Sequence, residues 1–148
     1  MKNTICWLFL AVFLASCASK NNINQSISGC LDDGKCSITV SPNQQISTEK
    51  TNRNELTINP ENSSEKSIYT FEYNREVDPK YVDGHYKEQL IFELPQNLEK
   101  LELSNHELKE IKLIFGRFCY CKGFTGYYWV TNGTFKLDGN KITIAFKI

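Results

Sequence analysis

The last third of the chain alternates apolar and polar residues with a period of two, which a helix cannot accommodate. Ile142, Ile144, Phe146 and Ile148 are interleaved with Lys141, Thr143, Ala145 and Lys147, so that each set projects to its own side of a pleated strand. Residues 112–121, 127–131 and 134–137 carry further strand patterns. Asn132-Gly133 between the last two is a strong short hairpin signal, and Asp138-Gly139-Asn140 is a second turn. A C-terminal β-meander with one dry face is expected.

Upstream the same logic applies with less clarity. Tyr69, Phe71 and Tyr73 fall on one face of a strand; Tyr86, Leu90, Phe92 and Leu94 share a face over 85–94, interrupted by Glu88. Residues 36–40 form a short strand before Pro42, and Asp33-Gly34 marks a turn. Within 41–66 only Leu56-Thr57-Ile58 has β character, and 59–64 reads as loop. Near 97–110 the spacing changes to three, and Ser104-Asn105-His106-Glu107 fits a capping box, so one short helix is expected there, with Leu101-Glu102-Leu103 open to strand. Seven to nine short strands define an all-β protein, closed as a small antiparallel sandwich or barrel.

The amino terminus has a different character. A basic start, Met1-Lys2, precedes an uncharged apolar run from Ile5 to Leu14, and Leu14-Ala15-Ser16-Cys17 closes it. The layout is that of a secretory signal peptide, too short for a membrane span of roughly 20 apolar residues. Its last four residues resemble the lipobox of bacterial lipoproteins. That resemblance covers residues 1–17 only and implies a diacylglyceryl group on the Cys17 thiol, cleavage before Cys17 and acylation of the new amino terminus. It implies a bacterial cell-envelope location, held by lipid, and Ala18 in place of aspartate resembles sorting to the outer membrane. Residues 1–16 are then signal peptide, 17–29 a lipidated cysteine with a polar, flexible tether, and 30–148 a single β-rich domain.

Cleavage leaves 132 residues, enough for one compact core. The 17 basic and 17 acidic residues of the whole chain cancel, and cleavage, which removes Lys2, leaves 16 basic against 17 acidic, a net charge of −1, so no strong field draws the chain to nucleic acid. Four cysteines remain beside the lipidated one: Cys30, Cys36, Cys119 and Cys121. In an oxidising compartment they are disulfide candidates. On a regular strand Cys119 and Cys121 lie nearly 7 Å apart, at the limit for a bridge. Each is therefore expected to pair back to the Cys30/Cys36 loop, the competitor being a Cys30–Cys36 bridge with a local Cys119/Cys121 pair. The alternative use of all four is a thiolate site for zinc or cuprous copper, against which stand the ligand spacing and the compartment.

Around Cys119-Tyr120-Cys121 lies a dense group of rings and cations. Arg117, Lys122, Phe124, Tyr127, Tyr128 and Trp129 form the candidate binding face, a platform for a glycan or an envelope protein. Part of the group belongs to the core, because neighbours on a strand point oppositely. A small apolar molecule in a barrel mouth is a third ligand class. An unbroken strand through 111–121 sets Arg117 beside Leu113 and Phe115, whereas a bulge at Gly116, the position expected to be irregular, turns Phe118 and Tyr120 inward. His85 and His106 stand alone and no catalytic motif is visible. A non-catalytic binding or interaction module without a cofactor is the expectation; a metal-handling protein and an enzyme assembled from scattered residues are the rivals.

Overall fold

A computed structural model describes residues 30–53 and 55–148. The segments expected to be signal peptide and tether, with Cys17 between them, lie outside the described residues. The strands are β1 (Gly34–Lys50), β2 (Leu56–Arg75), β3 (Tyr86–Pro95), β4 (Lys100–Ser104), β5 (Ile114–Cys119), β6 (Gly126–Trp129), β7 (Gly133–Asp138) and β8 (Lys141–Phe146); one 3₁₀ segment spans Asn105–Ile111. They form an antiparallel five-stranded sheet, ordered β1-β2-β3-β5-β6, and a three-stranded sheet, β4-β7-β8. The protein is a small all-β sandwich whose larger sheet curls toward a barrel.

The curl comes from one long hairpin. β1 and β2 run 17 and 20 residues, and their register shifts between Pro42 and Gln44, where Asn43 takes a left-handed φ of 58°. Gln96 stitches the bend: its amide N–H donates to the Glu65 carbonyl at 2.7 Å, and its side chain donates to Asn43 Oδ1 at 2.9 Å. Beyond the bend the hairpin returns across the sheet, and Leu56 pairs with Tyr127 of β6. β2 thereby touches both β3 and β6. Here the expectation fails: β1 runs through Pro42 and residues 59–62 are paired strand. A bulge tolerates Pro42, and Pro60 lies where the hairpin is paired chiefly along one edge.

The two faces of the larger sheet bury different residues. Leu90, Phe92, Leu94 and Phe115 pack against the smaller sheet, with Phe92 edge-on to Phe135 at 5.3 Å and Phe115 tilted against Phe146 at 5.5 Å. The other face, inside the curl, holds Ile46, Ile68, Ile91 and Ile114, flanked by Leu56, Ile58 and Tyr127. Gly116 has no side chain because the Tyr127 ring occupies that space: a Cβ would sit 2.8 Å from its Cε1. The register of β5 is continuous on both sides, so the bulge expected at Gly116 is absent and Phe115 and Arg117 share a face.

Two other expectations change. Asn132-Gly133 is not a hairpin; it carries the chain from β6 in one sheet to β7 in the other. Gly133 is needed there because a Cβ would collide with the Ala145 carbonyl oxygen. The C-terminal hairpin is β7–β8, turning at Gly139 with φ of 60°. Near 97–110 both readings hold in sequence: strand β4, then the 3₁₀ segment, whose Glu107 carboxylate accepts the Ser104 N–H at 2.8 Å.

The hairpin is fastened inside the curl by a buried charge. Glu93 is 2% exposed. Its Oε1 meets Lys66 Nζ at 2.7 Å and Lys112 Nζ at 3.3 Å, its Oε2 accepts the Ile46 N–H at 2.6 Å, and Lys112 Nζ donates to the Ile46 carbonyl. Burial pushes the Glu93 carboxyl up. The bonds from Lys66 and Ile46 and the Lys112 charge together outweigh it and hold the group below its ordinary 4.5. Glu93→Ala is expected to cost about 3–5 kcal/mol of unfolding free energy near neutral pH, because it strands two ammonium groups. The folded carboxyl titrates below the unfolded one, so the charge-dependent part of this contribution is complete above pH 4.5 and lost as the pH falls through the folded value. Urea unfolding of wild type and variant should show a gap that narrows on acidification below pH 4.5.

Candidate binding face

The cysteines lie at disulfide distance in two local pairs, Cys30–Cys36 and Cys119–Cys121, with Cα separations of 5.9 and 5.1 Å. This overturns the expected cross-pairing. Cys36 lies opposite Tyr73, Tyr73 opposite Glu88, and Glu88 opposite Arg117. Three strand steps therefore separate the pairs, roughly 14 Å at 4.8 Å per step, far beyond what a bridge spans. Nor do the four converge as metal ligands; among the described residues no group of three or more His, Cys, Asp or Glu does. Cys119 and Cys121 come within reach because β5 ends at Cys119 and the chain bends at Tyr120.

That bend starts a braced loop. The Phe124 N–H donates to the Cys121 carbonyl at 3.1 Å, Thr125 Oγ1 to the Arg117 carbonyl at 3.1 Å, and Tyr128 Oη to the Thr125 carbonyl at 3.3 Å. Gly123 takes the left-handed φ of 81° that the turn requires. Held this way, Tyr120 and Phe124 are 87% and 63% exposed, and Lys122 is exposed between them.

The six residues expected to form one face divide. Lys122 and Phe124 stand at the tip. Tyr127 turns into the curl, with its ring edge-on to Phe118 at 5.2 Å and its hydroxyl donating to Gln89 Oε1 at 3.2 Å; burial, then the Glu72 charge, raises its pKa. Tyr128 packs on the opposite core, and Trp129, opposite Ile114, is 37% exposed further along β6. Arg117 lies over the Phe115 ring at 5.1 Å, with Nε 3.5 Å from Glu88 Oε1. That is an ion pair without a hydrogen bond, and buried Nε has no other partner. Glu88 also accepts the Tyr86 hydroxyl. Arg117 is thus part of the wall and not of the tip.

Other loops end beside this tip. Gly34 pairs with Arg75 and Tyr86 with Cys119, and the Arg75 guanidinium lies 4.3 Å above the Tyr86 ring. The 30–33 turn and the 76–85 connection therefore leave the sheet at the same end as 120–125. Asp33 ties them: it accepts from Tyr73 Oη at 2.7 Å, meets Arg75 Nε at 3.3 Å, and its carbonyl accepts the Glu76 N–H at 2.8 Å. The Tyr73 bond, then the Arg75 charge, outweighs the burial effect and holds the Asp33 carboxyl below its usual range. Leu31, Tyr81 and Val82, exposed on these loops, did not stand out in the sequence, since they sit among turn residues with no period.

Two clefts lie away from this end. One is an open surface hollow lined by Asn43, Asn62, Ser63 and Ser64. The other, about 200 Å³, opens between Tyr69, Leu94, Leu98, Leu137 and Ile142. The latter falls short of the roughly 300–1,000 Å³ typical of ligand pockets. His85 and His106 are exposed and line neither cleft. No protein-family model, no curated protein and no solved structure matches the chain.

Peptide mapping of non-reduced protein is expected to return Cys30 linked to Cys36 and Cys119 linked to Cys121. Removing either bridge should cost about 2 kcal/mol, the loop-entropy value for so short a closure. A peptide joining the 30–36 segment to the 119–121 segment would contradict the assignment.

Proposed function

We propose that the protein is a lipoprotein of a bacterial envelope, held through acyl chains on Cys17, sorted to the outer membrane, and acting by binding and not by catalysis. The observation that carries this reading is Leu14-Ala15-Ser16-Cys17 at the end of an apolar run behind a basic start. Two or more acyl chains, at about 0.8 kcal/mol per buried methylene, anchor a domain stably without a membrane-spanning helix. Among the described residues no helix is long and apolar enough to cross a membrane. The braced 120–125 loop, with Tyr120 and Phe124 exposed, supports a contact role for the domain. Large rings held outward on a stiff loop lose little entropy when they meet a partner.

Metabolic labelling with a radiolabelled fatty acid should mark the wild-type protein, and Cys17→Ala should abolish the label. Label persisting in the Cys17→Ala protein would overturn the reading.

A further inference from the structure

We propose that the loop end of the five-stranded sheet docks onto the membrane itself, with the tips of 30–33, 76–85 and 120–125 resting in the headgroup layer. The inference rests on the Cys17 anchor proposed above and names the partner of the same exposed loops. Among the described residues, Leu31, Tyr81, Val82, Tyr120 and Phe124 are exposed large hydrophobics, at 57%, 61%, 93%, 87% and 63%. All five sit at this end, on the three loops whose flanking residues share adjacent rows of the sheet. The remaining exposed ones, Ile38, Trp129 and Ile148, are not on these tips.

The chain biases which way this end faces. Residue 30 enters the domain here, and thirteen residues upstream lies Cys17. Thirteen residues reach at most roughly 45 Å, and because the anchor pulls on the domain at this end, it draws these loops toward the bilayer. The shape suits a lipid surface better than a protein or sugar. A protein hot spot sits in a well-packed pocket, whereas these side chains stand exposed on the tips of three separate loops. Aromatic rings favour the water–lipid boundary, and Lys122 can lay its stem along apolar surface while its ammonium stays hydrated.

Charge selects the lipid. Lys35 pairs with Glu76 at 2.7 Å, Lys80 with Asp78 at 2.9 Å and Arg75 with Asp33 at 3.3 Å, while Asp32 and Asp83 add two carboxylates on the same loops. There is no basic excess to seek anionic headgroups, so a zwitterionic surface fits.

The test uses the full chain, expressed and purified in its lipidated form and reconstituted into phosphatidylcholine–phosphatidylethanolamine vesicles. Trp129 is the single tryptophan after position 17, so one added tryptophan reports against a subtractable background. Val82→Trp and Phe124→Trp place probes on two different loops, and Asn140→Trp places one at the far end, beside Pro95 and Asn97. Both loop probes should shift to the blue and lose emission when acyl-brominated lipids replace ordinary ones, reflecting burial by roughly 5–10 Å; the Asn140 probe should do neither. Flotation reports the anchor separately, the wild type rising with vesicles and Cys17→Ala remaining below. Floating protein whose loop probes stay unquenched overturns the docking and leaves the anchor standing. Loop probes that shift only when envelope fragments of the source cell are added overturn it in favour of a protein or glycan partner. Wild-type protein that does not float overturns both.

Discussion

One carboxylate decides how this chain closes. Without Glu93, the far half of the β1–β2 hairpin would be a polar ribbon with little to hold it, carrying Ile46, Leu56 and Ile58 as its apolar contribution to the inner cluster. Glu93 takes the Ile46 N–H and Lys112 takes the Ile46 carbonyl, so both backbone groups of the residue that plugs the curl are satisfied by side chains from elsewhere in the fold. A buried charge is costly by itself, and it is tolerated here because two ammonium groups and a backbone donor surround it. Lys112 shows how far the arrangement reaches. It ends the 3₁₀ segment with a left-handed φ of 48°, a conformation that costs a non-glycine residue about 1–2 kcal/mol. Glycine would sit there at less cost but could not reach Glu93.

From that closure follows the placement of everything exposed. Folding the hairpin over one face leaves the other free to take the β4-β7-β8 sheet, and the aromatic contacts of Phe92 and Phe115 with Phe135 and Phe146 join the layers. Antiparallel order then brings the starts of β1 and β3 and the end of β5 to a single edge of the molecule. The first and last of the loops there carry their own braces: Cys30–Cys36 and Asp33 for 30–33, Cys119–Cys121 and Thr125 for 120–125. The cysteines stiffen tips and do not staple the domain, whose long-range closure is left to the Glu93 cluster.

Where apolar residues recur at every second position, the period was visible in the residues: β8, the Tyr69 to Tyr73 part of β2 and the Phe92 face of β3 were all legible. The bent hairpin was not. Residues 41–66 are mostly polar because one side of that ribbon faces water, and its apolar side chains are too widely spaced to mark a period. Glu93 was hidden for a related reason: a charge between Phe92 and Leu94 looks like a solvent-facing position until another segment is known to cover it. Asn132-Gly133 misled because glycine served a close backbone approach, not a turn. For the candidate face, parity explained why Tyr127 and Tyr128 point apart. The grouping of Leu31, Tyr81 and Val82 with Tyr120 depends on sheet order, which no local pattern contains.

Amide hydrogen exchange at Ile46 tests the central claim most directly. Its N–H lies in a bent, mostly polar hairpin, yet it donates to a buried carboxylate at 2.6 Å. If the Glu93 cluster fastens the hairpin, that amide should be as protected as Ile91 in the middle of β3, opening only with global unfolding. Exchange at Ile46 as fast as at Arg53 in the hairpin turn would contradict the account.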